Sequence, residues 1–324
     1  MNFNKILLCF AAILISANSF SQTAADYNNT GNELADAGNF IEALKSYNAA
    51  ILVDSTVGES YYLRGKCYYM LEQDLLAIKD YSKAIKLDPT NKNAYYRRAQ
   101  SKEYTGDIEG ASGDYFTATR LDSNFVDAYV GRAFLFLKQN QIMPAFTYFS
   151  IAIKKQPNAP ANVFFGRGYC HQLIGSYSQA IDDYKKAIEL VPDYADAHLN
   201  LGNTYLTIKE YDNAITYYDK TIELNPNDNR AFIGRAYAFF YKNDIEKACR
   251  DRKKAIELGY VDTTNLFGKN CNQKSSLPPP ANLSRIFLTL STITSLLGFW
   301  RQRNNDSTRN KTTVWYNWRF AAAG

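Results

Sequence analysis

Residues 161–194, ANVFFGRGYCHQLIGSYSQAIDDYKKAIELVPDY, and 195–228, ADAHLNLGNTYLTIKEYDNAITYYDKTIELNPND, superpose over 34 positions without a gap. Gly168 and Gly202 fall at position 8, Ala180 and Ala214 at 20, Tyr184 and Tyr218 at 24, and Pro192 and Pro226 at 32. The same frame extends in both directions. It divides the chain into seven repeats, 24–57, 58–91, 92–125, 126–159, 161–194, 195–228 and 229–262, with Pro160 as the one inserted residue. Position 4 is Tyr27, Tyr61, Tyr95, Tyr129, Phe164, His198 and Phe232, whereas position 20 is Ala in all seven repeats. Self-similarity at this period is the mark of a stacked-repeat architecture, in which each repeat packs mainly on its neighbours.

Two kinds of position explain the pattern. Gly or Ala at positions 8 and 20, and Ala at 27 in every repeat but one, let helix axes approach to about 8 Å, and the large rings fill the holes left between them. Apolar residues spaced three and four apart, as in Ala180, Ile181, Tyr184, Ala187 and Ile188, predict two amphipathic helices per repeat. Gly38, Gly106 and Gly175 at position 15 separate the helices, and Pro89, Pro157, Pro192 and Pro226 at position 32 stop the second one. In these columns the sequence resembles the tetratricopeptide repeats, although position 4 never holds that family's Trp and Ser55, Ser123 and Tyr260 stand where Pro is usual. The resemblance implies an all-α, right-handed α-solenoid of seven helix–turn–helix units over 22–262.

Composition agrees with a folded chain: 46% hydrophobic and 21% charged residues exclude a collagenous or wholly disordered protein. The formal charge of +5 is unevenly placed. Residues 263–324 carry eight Lys/Arg and one Asp, whereas 22–262 hold 28 basic and 31 acidic side chains, so a nucleic-acid-binding body is not expected. Met1 to Ser21 has one Lys, an apolar run from Ile6 to Ile15, and small residues at Ser19 and Ser21. It reads as a secretory signal peptide, because the run is too short for a span of roughly 20 residues. The chain is therefore expected to be exported, periplasmic or secreted, with no stable membrane span once the signal is removed. After the repeats, 263–274 is a candidate cap segment. Residues 275–324 hold all three Trp and a Pro278–Pro280 run; they read either as a helix covering the last repeat or as a basic tail of low order, and the second reading is preferred.

No catalytic constellation, metal site or cofactor motif is visible, so the chain is expected to be no enzyme. His171 and His198, the two histidines, fall at aromatic packing positions, and no zinc-type ligand spacing occurs. Position 7 is Arg64, Arg98, Arg132, Arg167 and Arg235, and position 23 is Asp80, Asp114, Asp183 and Asp251. The two columns agree in six of the seven repeats, the fourth having Arg132 opposite Tyr148, which predicts structural pairs Arg64–Asp80, Arg98–Asp114, Arg167–Asp183 and Arg235–Asp251 rather than chemistry. Cys67 and Cys170 lie three repeats apart, too far to bond, whereas Cys249 and Cys271 form a candidate disulfide if the segment after the last repeat folds back.

The family resemblance also implies that positions 2, 5, 9, 12 and 13 of each first helix face a concave groove. On this chain they supply Tyr62, Lys66, Tyr69, Tyr96, Gln100, Tyr104, Phe134, Lys138, Phe165, Tyr169, Asn203 and Tyr237 as candidate partner-binding residues. Asn28, Asn32, Lys66 and Arg97 match only loosely the clamp with which some members hold a terminal carboxylate. Such an aromatic stripe suits a protein or peptide segment, and an envelope glycan is the alternative ligand. Replacing Tyr96 and Phe134 is expected to weaken binding with little change in fold. The function expected is a non-catalytic scaffold in the cell envelope; the sequence carries no expectation of oligomeric state.

Overall fold

The computed structural model describes residues 22–261 and 271. The signal-peptide reading of 1–21, the tail reading of 275–324 and all but Cys271 of the cap segment lie outside them. The described residues form fourteen α-helices and no strand: α1 Ala24–Asp36, α2 Phe40–Val53, α3 Gly58–Met70, α4 Asp74–Leu87, α5 Lys92–Tyr104, α6 Ile108–Leu121, α7 Val126–Lys138, α8 Ile142–Lys155, α9 Ala161–Leu173, α10 Tyr177–Leu190, α11 Ala195–Thr207, α12 Tyr211–Leu224, α13 Asn229–Tyr241 and α14 Ile245–Glu257. Each 34-residue repeat contains one pair of them, giving an all-α fold of tetratricopeptide type. The chain separates after Ala128, inside α7, into two compact units.

Six of the seven pairs are held by one ring, and the seventh has Arg252 at that position. Tyr47, Tyr81, Tyr115, Phe149, Tyr184 and Tyr218, the position-24 aromatics, are at most 1% exposed. They press on position 8 of the same repeat: a Cβ on Gly31 would meet the Tyr47 ring at 2.4 Å, and one on Gly65 the Tyr81 ring at 2.8 Å. The small residue there is a steric requirement of the ring.

The turn between paired helices has one backbone form throughout. Position 15 takes positive φ in all seven repeats, at Gly38, Glu72, Gly106, Asn140, Gly175, Lys209 and Asn243. Glycine and asparagine accept this conformation readily, whereas Glu72 and Lys209 incur about 1 kcal/mol each. In repeats one and three, where Ser55 and Ser123 stand at position 32, the preceding aspartate makes the turn, as Asp88 also does before Pro89. Asp54 Oδ1 accepts from the Thr56 amide at 2.8 Å, and Asp122 Oδ1 from the Asn124 amide at 2.8 Å.

The four arginine–aspartate pairs are bidentate. Arg64 Nε and Nη2 donate to Asp80 at 2.7 and 2.7 Å, and Arg98 to Asp114 at 2.8 and 2.7 Å. In the second unit Arg167 donates to Asp183 at 2.8 and 2.6 Å, and Arg235 to Asp251 at 2.7 and 3.0 Å. The carboxylates are buried, so these pairs matter more to stability than exposed ones. Arg132, with Tyr148 in place of Asp, lies 4.7 Å from that ring centroid. Three of the arginines also reach back one repeat: Arg64 to Asn48, Arg98 to Ser82 and Arg235 to Asp219.

Candidate functional site

The candidate residues divide sharply by exposure. Tyr69, Tyr96, Gln100, Phe134, Phe165, Tyr169, Asn203 and Tyr237 are all buried, none more than 6% exposed. This corrects the reading of a continuous aromatic stripe open to a ligand. Tyr96 packs on Tyr115 and Phe125 with centroids 5.9 and 5.1 Å apart; Phe134 meets Phe149 edge-on at 5.0 Å; Phe165 lies against Tyr184 and Tyr194 at 5.6 and 5.0 Å. The position-5 rings Tyr96 and Phe165 and the position-9 ring Phe134 therefore lie against the position-24 ring of their own repeats instead of projecting from the helix pair. Tyr96 and Phe134 are core residues, and their removal would disturb the fold.

The polar side chains of this face are largely engaged in satisfying that core. Tyr47 donates its hydroxyl to Asn32 Oδ1 at 2.8 Å, Tyr115 to Glu103 at 3.1 Å, Tyr184 to Gln172 at 2.6 Å and Tyr218 to Asn203 Oδ1 at 2.8 Å. Asn203 is thus an internal acceptor. Repeat two breaks the rule, because positions 9 and 12 there are Lys66 and Tyr69, and the buried Tyr81 hydroxyl has no hydrogen-bond partner.

What remains accessible in the first unit is a small cluster on α3 and α5. Lys66 is exposed, Tyr62 half-buried and Tyr104 38% exposed. The Lys66 ammonium lies 5.9 Å from the Tyr62 ring centroid, and Tyr104 lies 6.2 Å from Tyr69. Between them stands Arg97, half-buried, with its guanidinium 5.5 Å from the Tyr96 centroid and Nη1 donating to Gln100 Oε1 at 3.0 Å. Gln100 in turn donates to the Tyr96 hydroxyl at 3.3 Å. The loosely matched clamp is not assembled, since Asn28 donates to Ser60 Oγ at 2.9 Å and Asn32 serves Tyr47. In the second unit Lys138 is the half-buried candidate.

The titratable groups match a packing role. Burial lowers the pKa of His198, whose Nε2 lies 2.8 Å from the Pro192 carbonyl. Burial also lowers that of His171, whose ring meets Phe146 at 4.9 Å. Cys249 and Cys271 are joined in a disulfide. Cys67 and Cys170 are buried thiols, pushed by desolvation up to about 11 and about 12, which makes them poor nucleophiles. Among the described residues no group of three His, Cys, Asp or Glu could hold a metal ion, and no helix is long and apolar enough to cross a membrane.

Comparison with known proteins places the repeats. Residues 58–91 and 195–228 match the family model described as tetratricopeptide repeat, and 168–209 match a further TPR repeat model. No curated protein matches the chain. Among solved structures, the C-terminal part of a TPR repeat-containing protein from Cytophaga hutchinsonii is similar at 21% identity and a TM-score of 0.59, covering 76% of this chain and 99% of that one. A tetratricopeptide repeat protein from Parabacteroides merdae is similar at 17% identity and 0.54, covering 77% and 97%. YrrB, described as a TPR protein with an unusual peptide-binding site, is similar at 22% identity and 0.53, covering 59% and 97%. At these identities the likeness is one of fold.

Proposed function

From a chain built of tetratricopeptide repeats, which mediate protein–protein interactions, we propose a non-catalytic scaffold of the cell envelope that receives a partner segment on the first-helix face of its N-terminal unit. The observation that carries this reading is the cluster of Tyr62, Lys66, Arg97 and Tyr104, the part of the expected binding face in that unit that keeps accessible side chains. Amphipathic rings beside cations offer contact area at low entropic cost, as interface anchors do. The signal-like leader at 1–21 supports export.

The test uses immobilised full chain, as wild type and as the Tyr62→Ala/Tyr104→Ala variant, exposed separately to envelope extract and to purified cell-wall polysaccharide. Retention of a protein by the wild type and its loss from the variant is the expected result. Retention of polysaccharide instead, lost in the same variant, would replace the protein partner by a glycan.

A further inference from the structure

The second helices of the first unit, α2, α4 and α6, carry a pattern that packing does not require. Positions 18, 22, 25 and 29 form one stripe along such a helix, turned away from the buried positions 20, 24 and 27. On it Leu52 is 86% exposed, Leu75 75%, Ile41 57% and Phe116 46%. In each of the three helices an exposed apolar residue is followed one turn later by an exposed cation: Ile41 by Lys45, Leu75 by Lys79 and Phe116 by Arg120. Lys86 adds a fourth cation at position 29. Glu109 is the one acid of the stripe, in a unit where acidic side chains outnumber basic ones.

Repeats five to seven show that the fold does not demand this. The same columns there hold Ser178, Asp212 and Glu246 at position 18, and Glu189, Glu223 and Glu257 at position 29. Met143 in repeat four is the last apolar residue at position 18. Charge matching differs too. Glu189 pairs with Lys186 and Glu223 with Lys220, both at 2.7 Å, and Asp219 pairs with Arg235. On the first unit's stripe Lys45 is held by Glu42 at 2.8 Å, whereas Lys79, Lys86 and Arg120 have no carboxylate within ion-pair distance among the described residues.

We propose that this face seats the first unit on an anionic lipid surface. Ile41, Leu52, Leu75 and Phe116 enter the interfacial layer, and Lys79, Lys86 and Arg120 lay their apolar stems along it while their charged ends reach lipid phosphates. The unmatched cations supply the charge complementarity, and the exposed aliphatic tips supply the buried area. A protein partner fits less well, because along each helix the apolar side chains stand in ones and twos between cations, without the apolar centre and polar rim of a protein interface. A fluid surface needs no matched shape. The contact is peripheral, since no described helix is long and apolar enough to cross a membrane. It uses the second helices and leaves the first-helix cluster of Tyr62, Lys66, Arg97 and Tyr104 to a partner segment.

The experiment places an environment-sensitive nitrobenzoxadiazole dye on the stripe of the full chain through Gly113→Cys, where a Cβ would meet nothing within 4 Å. Thr216→Cys, in the same column of repeat six, carries the dye in a second chain. Cys67 and Cys170 are buried and Cys249 and Cys271 are bonded, so the label goes to the introduced thiol. Vesicles of phosphatidylcholine with about 30% phosphatidylglycerol should raise emission at Gly113→Cys about twofold and shift it to the blue, and the response should weaken severalfold in about 0.5 M salt. Thr216→Cys should not respond, nor should either chain with phosphatidylcholine alone. Adding Lys79→Gln, Lys86→Gln and Arg120→Gln should raise the lipid needed for half the response about tenfold or more, and Leu52→Ser/Leu75→Ser should weaken it comparably. Both labelled chains carry the same basic residues at 263–324, so attachment through those alone would leave the Gly113→Cys dye in water. That outcome, an equal response from the two dyes, or a response indifferent to the lysine and leucine exchanges would overturn the inference. So would retention of an envelope protein that Leu52→Ser/Leu75→Ser abolishes while vesicles leave the dye unmoved, which would make the face a protein interface; the partner-segment reading of the first helices is untouched by any of these results.

Discussion

The first helices of the two units obey one register and spend their side chains differently. In α3 the buried residues are Ser60, Leu63, Gly65, Cys67 and Tyr69, an interrupted, two-sided pattern that leaves Tyr62 half-buried and Lys66 exposed. In α11 every residue from Ala197 to Leu206 is buried, and in α9 the run from Ala161 to Gly166 is unbroken. Charge differs as well: residues 22–128 hold eleven Lys/Arg against sixteen Asp/Glu, and 129–261 hold seventeen against fourteen. Repeat register thus dictates which columns pack a helix pair, while the accessibility of the remaining positions is settled separately in each unit.

The largest expected contrast lies in the rings. Phe165→Ala removes a fully buried side chain and should cost about 4 kcal/mol, measured by denaturant unfolding of the second unit. Tyr104→Ala, on the half-open face of the first unit, should stay within about 1 kcal/mol. Equal losses would erase the distinction between the two faces. Asp80→Ala should be next in size, about 3 kcal/mol, because it strands the Arg64 guanidinium beside a buried site. Arg64→Leu/Asp80→Leu should recover part of that loss.

Hydroxyl removal sharpens the comparison further. Tyr218→Phe deletes a made hydrogen bond and orphans Asn203, so a loss of about 1 kcal/mol is expected, whereas Tyr81→Phe should be neutral or slightly stabilising in the absence of partner. The smallest effect concerns pH. His198 and His171 both lie in the second unit, and burial depresses both imidazoles below the usual value. The unfolded chain then binds more protons near pH 6, so their contribution is present above the unfolded histidine pKa of about 6.5 and is lost as pH falls through and below it. Hydrogen exchange between pH 7.5 and 5.5 should show the second unit losing protection that His198→Phe restores, with the histidine-free first unit lacking this component.

The helix pairs and the Arg–Asp columns were legible because they are set by contacts that recur at a fixed spacing. Ala at position 20 and a ring at position 24 announce themselves seven and six times over. The binding face was less legible, since burial at position 5 depends on rings in other columns, such as Phe125 against Tyr96 and Tyr194 against Phe165, which do not repeat. One signal was read only as a loose clamp match: Arg97 is the single charged residue in its column. Another was the polar complement at positions 9 and 12, where Asn32, Glu103, Gln172 and Asn203 accompany a Tyr at position 24 in the same repeat.

The backward reach of the arginines has a consequence for cooperativity. Treated as a one-dimensional chain of coupled elements, the array has an intrinsic term for each helix pair and a junction term for each neighbour contact. Arg64 and Arg98 add a polar strut to both junctions among repeats one to three, and Arg235 adds one between repeats six and seven. Repeat six has Leu201 in place of the arginine, so its junction with repeat five lacks that strut. Among the described residues Arg167 bonds only within its own repeat, so partial unfolding of the second unit should nucleate a domain wall at one of the two junctions flanking repeat five, near Pro157–Ala161 or Pro192–Ala195, before the adjoining pairs melt.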